Sequence, residues 1–184
     1  ETIAERISAR RVGDTPATID WLLTDSRSLS FPEETLFFAL TTKRNDGARY
    51  IPDLYSRGVR NFVVSKEAYK WVESGQLAMS NSDMLAVNFL VVANPLKALQ
   101  KLAEQHREQF QIPVIGITGS NGKTIVKEWL HQLLSPERAI VRSPRSYNSQ
   151  IGVPLSVWQM NGQSELAIFE AGISEMGEMR ALQN

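Results

Sequence analysis

The chain has 184 residues, 42% hydrophobic and 22% charged, with 20 Lys+Arg against 20 Asp+Glu and no cysteine. That composition suits a globular protein with a real core, one domain or two small ones, and excludes wholesale disorder, disulfide scaffolds, Cys-ligated zinc and thiol catalysis. The balanced charge holds in both halves (11 basic and 12 acidic residues in 1–94, 9 and 8 in 95–184), so neither half has the footprint of a nucleic-acid binder or a membrane-surface module.

Residues 1–11, ETIAERISARR, are charged and helix-like, with no signal-peptide core. No apolar run approaches the ~20 residues that cross a bilayer, so no membrane insertion and a cytoplasmic location are expected. The missing initiator Met reads as a processed or trimmed product. Segments 21–24 and 36–40 have strand length. Segment 50–57 reads as a helix ending at Gly58, 61–65 as a β-branched and aromatic strand, and 66–73 as a helix that stops before Gly75. Segment 88–93 is a buried strand. The first half is therefore α/β and partly βαβ-like.

Asn94-Pro95 punctuates the chain, which predicts domains at 1–94 and 95–184. Pro95 opens a helix over 95–110, with apolar residues at Leu96, Leu99, Leu102 and Ala103. The run 112–118, IPVIGIT, is continuously apolar and suits a strand buried on both faces. After GSNGKT, residues 125–134 form a helix with Val126, Leu130, Leu133 and Leu134 on one face, closed by Ser135-Pro136. A short strand at 139–142, a helix over 151–160 and a strand at 165–170 follow. His106 and His131 stand alone without metal-ligand spacing and read as surface or boundary residues.

The most informative run is Gly116-Ile-Thr-Gly119-Ser-Asn-Gly122-Lys123-Thr124, between a buried strand and an amphipathic helix. Glycines let successive backbone N–H groups turn inward at phosphate oxygens, and the helix N-terminus adds partial positive charge. Lys123 is placed to reach the β- and γ-phosphates, and the Thr124 hydroxyl to ligate Mg²⁺. The strict GxxxxGK[ST] pattern wants glycine at 117, where this chain has Ile117. No guanine-reading NKxD motif accompanies the loop, which favours ATP.

The form TGSNGKT resembles the Mur ligase family, ATP-dependent amide-forming ligases of peptidoglycan precursor synthesis. Thr24-Asp25-Ser26-Arg27, then Leu36–Leu40 (LFFAL) and Asn45-Asp46-Gly47, is similar to that family's uridine-binding N-terminal domain. Tyr147–Pro154 (YNSQIGVP) is similar to its NxNNxIGxP stretch. Glu170-Ala171-Gly172 with Gly177-Glu178-Met179, and Val126-Lys127-Glu128 after the loop, resemble the branch that adds D-alanyl-D-alanine. The resemblance implies a small α/β domain binding a UDP-N-acetylmuramoyl-peptide, followed by an incomplete, mostly parallel phosphate-loop domain binding ATP. It implies an acyl-phosphate intermediate, displaced by the amine of D-alanyl-D-alanine.

Carried over residue by residue, Gly119, Ser120, Asn121, Gly122, Lys123 and Thr124 hold ATP. Lys123 and Glu170 are catalytic, and Thr124 and Glu170 hold Mg²⁺. Ser26, Lys43, Arg44, Asn45 and Asn148 contact the UDP substrate. From the residues alone, alternatives stay open. Glu170 is also a plausible solvated strand-end carboxylate, Asn148 a turn residue, Lys43 and Arg44 two cations on an exposed hairpin, and Asp25 and Arg27 a local pair. The family often has glycine near 42, His or Arg after the DG pair, and a second Asn; here stand Thr42, Ala48 and Ser149. The N-terminal segment resembles the branch fused to an alanine racemase. The resemblance puts the amine contact and a metal-bridging modified lysine beyond residue 184, and GEMRALQN begins an uncapped helix. The 184 residues thus read as a truncation, inactive by themselves. Competing readings are another step of the same family, a phosphate-loop kinase or hydrolase, and a non-catalytic UDP-sugar-binding module.

Overall fold

A computed structural model describes residues 2–42, 45–77 and 86–172. The chain is α/β with largely parallel sheets. It divides into two units, Glu1–Leu99 and Gln100–Asn184. Among the described residues no helix is long and apolar enough to cross a membrane.

The first unit runs α1 (Ile3–Arg6), β1 (Arg10–Val12), β2 (Trp21–Leu23), β3 (Thr35–Phe38), α2 (Ile51–Ser56), β4 (Asn61–Ser65), α3 (Lys66–Glu73) and β5 (Asn88–Val92). Its sheet order is β1-β5-β4-β3-β2. Strands β2 to β5 are parallel, and β1 lies antiparallel on β5. The N-terminal segment is not one helix, as its composition suggested. Thr2 and Glu5 form a capping box that starts α1, but the chain turns at Ser8 (φ 54°), and Arg10–Val12 pair with the edge of β5. A four-residue helix gives few backbone bonds for its nucleation cost, so the edge pairing prevails.

Phe37, Phe62 and Phe89 occupy paired register positions on three adjacent strands and are fully buried. Phe62 and Phe89 stack at 5.7 Å between centroids, Phe37 meets Phe62 edge-on at 6.3 Å, and Tyr69 of α3 meets Phe89 at 5.6 Å. This ladder organises the main core of the unit, completed by Ile51 and Leu54 of α2 and Val72 of α3. Ser65 Oγ accepts the Ala68 N–H at 3.1 Å, which is why β4 passes directly into α3.

Helix α4 (Pro95–Arg107) starts as the Asn94-Pro95 signal requires, with Asn94 Oδ1 accepting the Lys97 N–H at 3.1 Å. The division between units falls inside it. The second unit continues with β6 (Val114–Ile117), α5 (Lys123–Leu134), β7 (Ile140–Arg142), α6 (Gly152–Val157) and β8 (Leu166–Glu170). Its sheet is parallel, ordered β6-β8-β7, so the last strand in sequence is central. Leu166 and Ile168 pack toward Leu130 and Leu134 of α5. Ala167 and Phe169 pack on the opposite face with Phe110, Val157 and Met160.

Two expectations are corrected here. The strand buried on both faces is β8, not β6: Val114 is 39% exposed and Gly116 is exposed, because β6 lies at an edge of the described sheet. On α5, Leu130 and Leu134 face the core, but Val126 and Leu133 are exposed. The residue buried instead is Lys127. His106 is a half-buried boundary residue whose ring nitrogen lies 2.9 Å from the Met160 carbonyl oxygen. His131 is half-buried on α5.

Candidate functional site

The site is built where β6 and β8 end side by side. Ile117, the residue that breaks the strict glycine pattern, is the last residue of β6 and is 8% exposed in the core. Its register partner is Glu170, the last residue of β8. The glycine loop therefore begins after Ile117, and an apolar residue fits there. Gly119 (φ 142°) and Gly122 (φ 78°) take the left-handed backbone the loop needs. Gly122 is also the N-cap of α5, with no side-chain cap. The first-turn N–H groups of α5 thus carry their partial positive charge into the loop, an arrangement suited to an anion. Lys123 Nζ donates to the Gly119 carbonyl at 2.6 Å and spans the loop.

Thr124 and Glu170, 46 residues apart, come together: Thr124 Oγ1 donates to Glu170 Oε2 at 3.1 Å. Glu170 is fully buried, which excludes the solvated strand-end reading. Its other oxygen, Oε1, contacts Lys127 Nζ at 2.8 Å. That is a charge contact outside hydrogen-bond geometry, since Oε1 accepts no hydrogen bond. A hydroxyl and a buried carboxylate with spare lone pairs are hard oxygen donors. They suit a small divalent cation that takes one protein carboxylate and completes its shell with phosphate oxygens and water. Among the described residues no group of three His, Cys, Asp or Glu could hold a metal without such help.

Asn148 lies against the segment that follows β8. Its carbonyl accepts the Gly172 N–H at 2.7 Å, just past β8. A Cβ at Gly172 would come within 3.0 Å of Asn148 Cγ and Oδ1, so the glycine of the Glu170-Ala-Gly172 run is what lets Asn148 approach.

Residues without a role in the sequence reading complete the constellation. Lys127 is fully buried and donates to the Ser143 carbonyl at 2.8 Å and to the Arg145 carbonyl. Ser143 Oγ accepts the Glu170 N–H at 3.1 Å. Glu128 bridges Lys127 (3.3 Å) and Arg142 (3.1 Å). Burial pushes its carboxyl up, but the Lys127 and Arg142 partners outweigh that and hold it below the usual carboxylate range. The available signal was spacing: Lys127 follows Thr124 by three residues and shares its helix face.

Of the remaining UDP candidates, Ser26 and Asn45 lie in the first unit, after the C-terminal ends of the adjacent parallel strands β2 and β3. Asp25 and Arg27 pair with each other, Nε to Oδ1 at 2.9 Å, and the guanidinium holds the Asp25 carboxyl below its ordinary range. Ser26 opens the 3₁₀ turn between them, and its carbonyl accepts from Arg57 Nη1 at 2.9 Å. Asn45 is exposed. Its N–H donates to Thr42 Oγ1 at 3.1 Å, and Tyr50 donates to its Oδ1 at 3.3 Å. Lys43, Arg44, the Gly177-Glu178-Met179 run and the GEMRALQN segment expected to begin a helix lie outside the described residues.

A glycine loop from a parallel strand into an uncapped helix, with Lys and Thr in its first turn and a carboxylate on the neighbouring strand end, defines a phosphate-loop α/β domain. Residues 117–184 match the Mur ligase middle domain. The UDP-N-acetylmuramoyl-tripeptide–D-alanyl-D-alanine ligase of Borreliella burgdorferi is 38% identical over 149 residues, 81% of this chain and 31% of that protein. A crystal structure of MurF from Acinetobacter baumannii superposes with a TM-score of 0.80 at 25% identity, covering 98% of this chain and 37% of that one. MurF ligase from Thermotoga maritima in complex with ADP gives 0.68 at 26% identity, covering 88% and 34%. The chain belongs to the Mur ligase family. It spans about a third of the length of these relatives.

Proposed function

We propose that this chain supplies the nucleotide-binding and UDP-substrate-binding parts of an ATP-dependent ligase that joins D-alanyl-D-alanine to a UDP-N-acetylmuramoyl-tripeptide in the cytoplasm. The observation that carries this is the convergence of the loop lysine, Thr124 and buried Glu170 at one strand end, in a chain similar to ligases of that name. ADP in the related Thermotoga structure supports ATP as the nucleotide.

The substrate's terminal carboxylate attacks the γ-phosphorus of ATP, giving an acyl phosphate and ADP. The incoming amine then attacks the acyl carbon, phosphate leaves, and the amine proton passes to solvent or base. Loop N–H groups from Gly119 to Thr124 cradle the phosphates. Lys123, released from the Gly119 carbonyl, stabilises charge on the transferred group. Thr124 Oγ1 and Glu170 Oε2 would hold Mg²⁺, which when bound neutralises developing phosphate charge. Asn148 would contact substrate or nucleotide. Ser26, Lys43, Arg44 and Asn45 would take the uridine diphosphate end, with Lys43 and Arg44 as the diphosphate cations. The likeness to the racemase-fused branch makes a covalent racemase domain part of the reading, to be checked by the mass of the natural protein.

The test is phosphate release by the full-length protein. Release is expected only when ATP, UDP-N-acetylmuramoyl-tripeptide and D-alanyl-D-alanine are all present; turnover with ATP alone would sink the ligase reading. Lys123→Ala should lower turnover by about 10²–10³-fold or more while UDP-substrate binding persists.

A further inference from the structure

We propose that Lys127 is a positioning residue of the metal site: it locks the Glu170 carboxylate so that Oε2 faces Thr124. This rests on the reading of Thr124 and Glu170 as the Mg²⁺ donors.

Lys127 and Thr124 lie one turn apart on the same face of α5, and both reach Glu170. The two contacts are divided between the oxygens: Nζ takes Oε1 at 2.8 Å, and the Thr124 hydroxyl takes Oε2 at 3.1 Å. A carboxylate held at one oxygen has only the other to offer. The ammonium is itself immobile. It donates to the carbonyls of Ser143 and Arg145 and stands 3.3 Å from Glu128, whose carboxylate is anchored by Arg142. Arg145 adopts the left-handed backbone (φ 49°), unusual for a residue other than glycine, and its carbonyl meets Nζ. Glu170 is held a third way, through its own N–H on Ser143 Oγ. Both charges are fully buried, an arrangement that gives little net stability and whose cost a site can justify. The ion pair leaves the protein side of the metal site with no net charge from these two residues, so phosphate oxygens must complete it.

The test measures ADP binding to the full chain by calorimetry at stepped Mg²⁺ concentrations, with Mn²⁺ loading read by electron paramagnetic resonance. In the parent protein Mg²⁺ tightens ADP binding, and the midpoint of that tightening is the readout, with metal-free ADP affinity as internal control. Lys127→Met is expected to raise the midpoint about 10–100-fold, as loss of an outer-sphere partner does. Lys127→Arg, which keeps a cation, regains part of the shift. If Lys127→Met does not fold, Lys127→Gln, which keeps a donor without the charge, is expected to move the midpoint the same way. An unchanged midpoint in a folded variant would make Lys127 a structural staple, and a lowered one would make it a competitor of the metal; either overturns the proposal. A parent protein that binds ADP with no response to Mg²⁺ overturns the reading of the metal donors as well, which separates the two failures.

Discussion

In the five-stranded sheet the fully buried Phe37, Phe62 and Phe89 form an aromatic ladder across three strands, edge-on at one step and stacked at the next. In the three-stranded sheet the central strand is apolar through Phe169 and then ends on Glu170, as buried as any phenylalanine and joined to an equally buried lysine. Apolar burial stabilises without regard to direction. A buried ion pair costs desolvation and returns it only in one geometry. The first sheet is thus built for stability, and the second accepts an expense at the strand end where a phosphate loop begins. A buried charge pair whose carboxylate also takes a loop hydroxyl marks function more surely than either glycine or lysine spacing.

The comparison breaks most sharply under paired substitutions followed by urea unfolding. Phe62→Ala should cost about 3–5 kcal/mol, the range for large aromatic deletions in a core. Glu170→Gln should cost up to a similar ~3–5 kcal/mol, because it removes the buried carboxylate that faces the Lys127 ammonium and leaves only the Glu128 contact and two carbonyls. The cases part at the second step. Adding Lys127→Met to Glu170→Gln should restore part of the loss, since the buried, under-compensated charge is gone. Simple additivity in that double variant would show that the two charges are not coupled.

A smaller effect probes the loop. Gly122 caps α5 at φ 78° with nothing within 4 Å of where a Cβ would stand. Space is therefore not the obstacle, and Gly122→Ala should cost only the left-handed backbone penalty, about 1–2 kcal/mol. Gly122→Asn should cost less, because Asn tolerates that region. Equal losses for the two would point to a cause other than backbone strain.

The order strand, glycine loop, helix was legible because each part has a local signature: an apolar β-rich run, glycines before Lys-Thr, and an apolar stripe at helical spacing. The parallel strands of the first unit were legible for the same reason, with Asn61–Ser65 and Lys66–Glu73 matching their expected bounds. What escaped is non-local. Arg10–Val12 become a strand only because the edge of β5 is open to them. Leu133 looks like core by spacing yet is 74% exposed, while Lys127 looks like surface and is buried, because Glu170 and the Ser143 carbonyl wait for it at the sheet end. The meeting of Thr124 with Glu170 came from family resemblance, since no spacing rule links residues 46 apart.

The weakest expected effect lies at the other unit's strand end and tests the contrast from below. Asp25 pairs with Arg27 as Glu170 does with Lys127, but in solvent: the Asp25 side chain is 43% exposed. Hydrogen bonding to the Arg27 side chain, then to its N–H, lowers the Asp25 pKa. A carboxylate depressed in the folded state contributes stability above its unfolded value, about 3.9, and loses it as pH falls through the folded value. Asp25→Asn, which keeps a capping oxygen, should therefore cost under about 1 kcal/mol near neutral pH. The gap between parent and variant in urea unfolding should close as the pH drops below about 4, and 0.5 M NaCl should narrow it at neutral pH through screening. A gap that ignores both pH and salt would mean that the cap, not the charge, carries the effect, and that exposed and buried pairs in this chain differ in kind rather than only in degree.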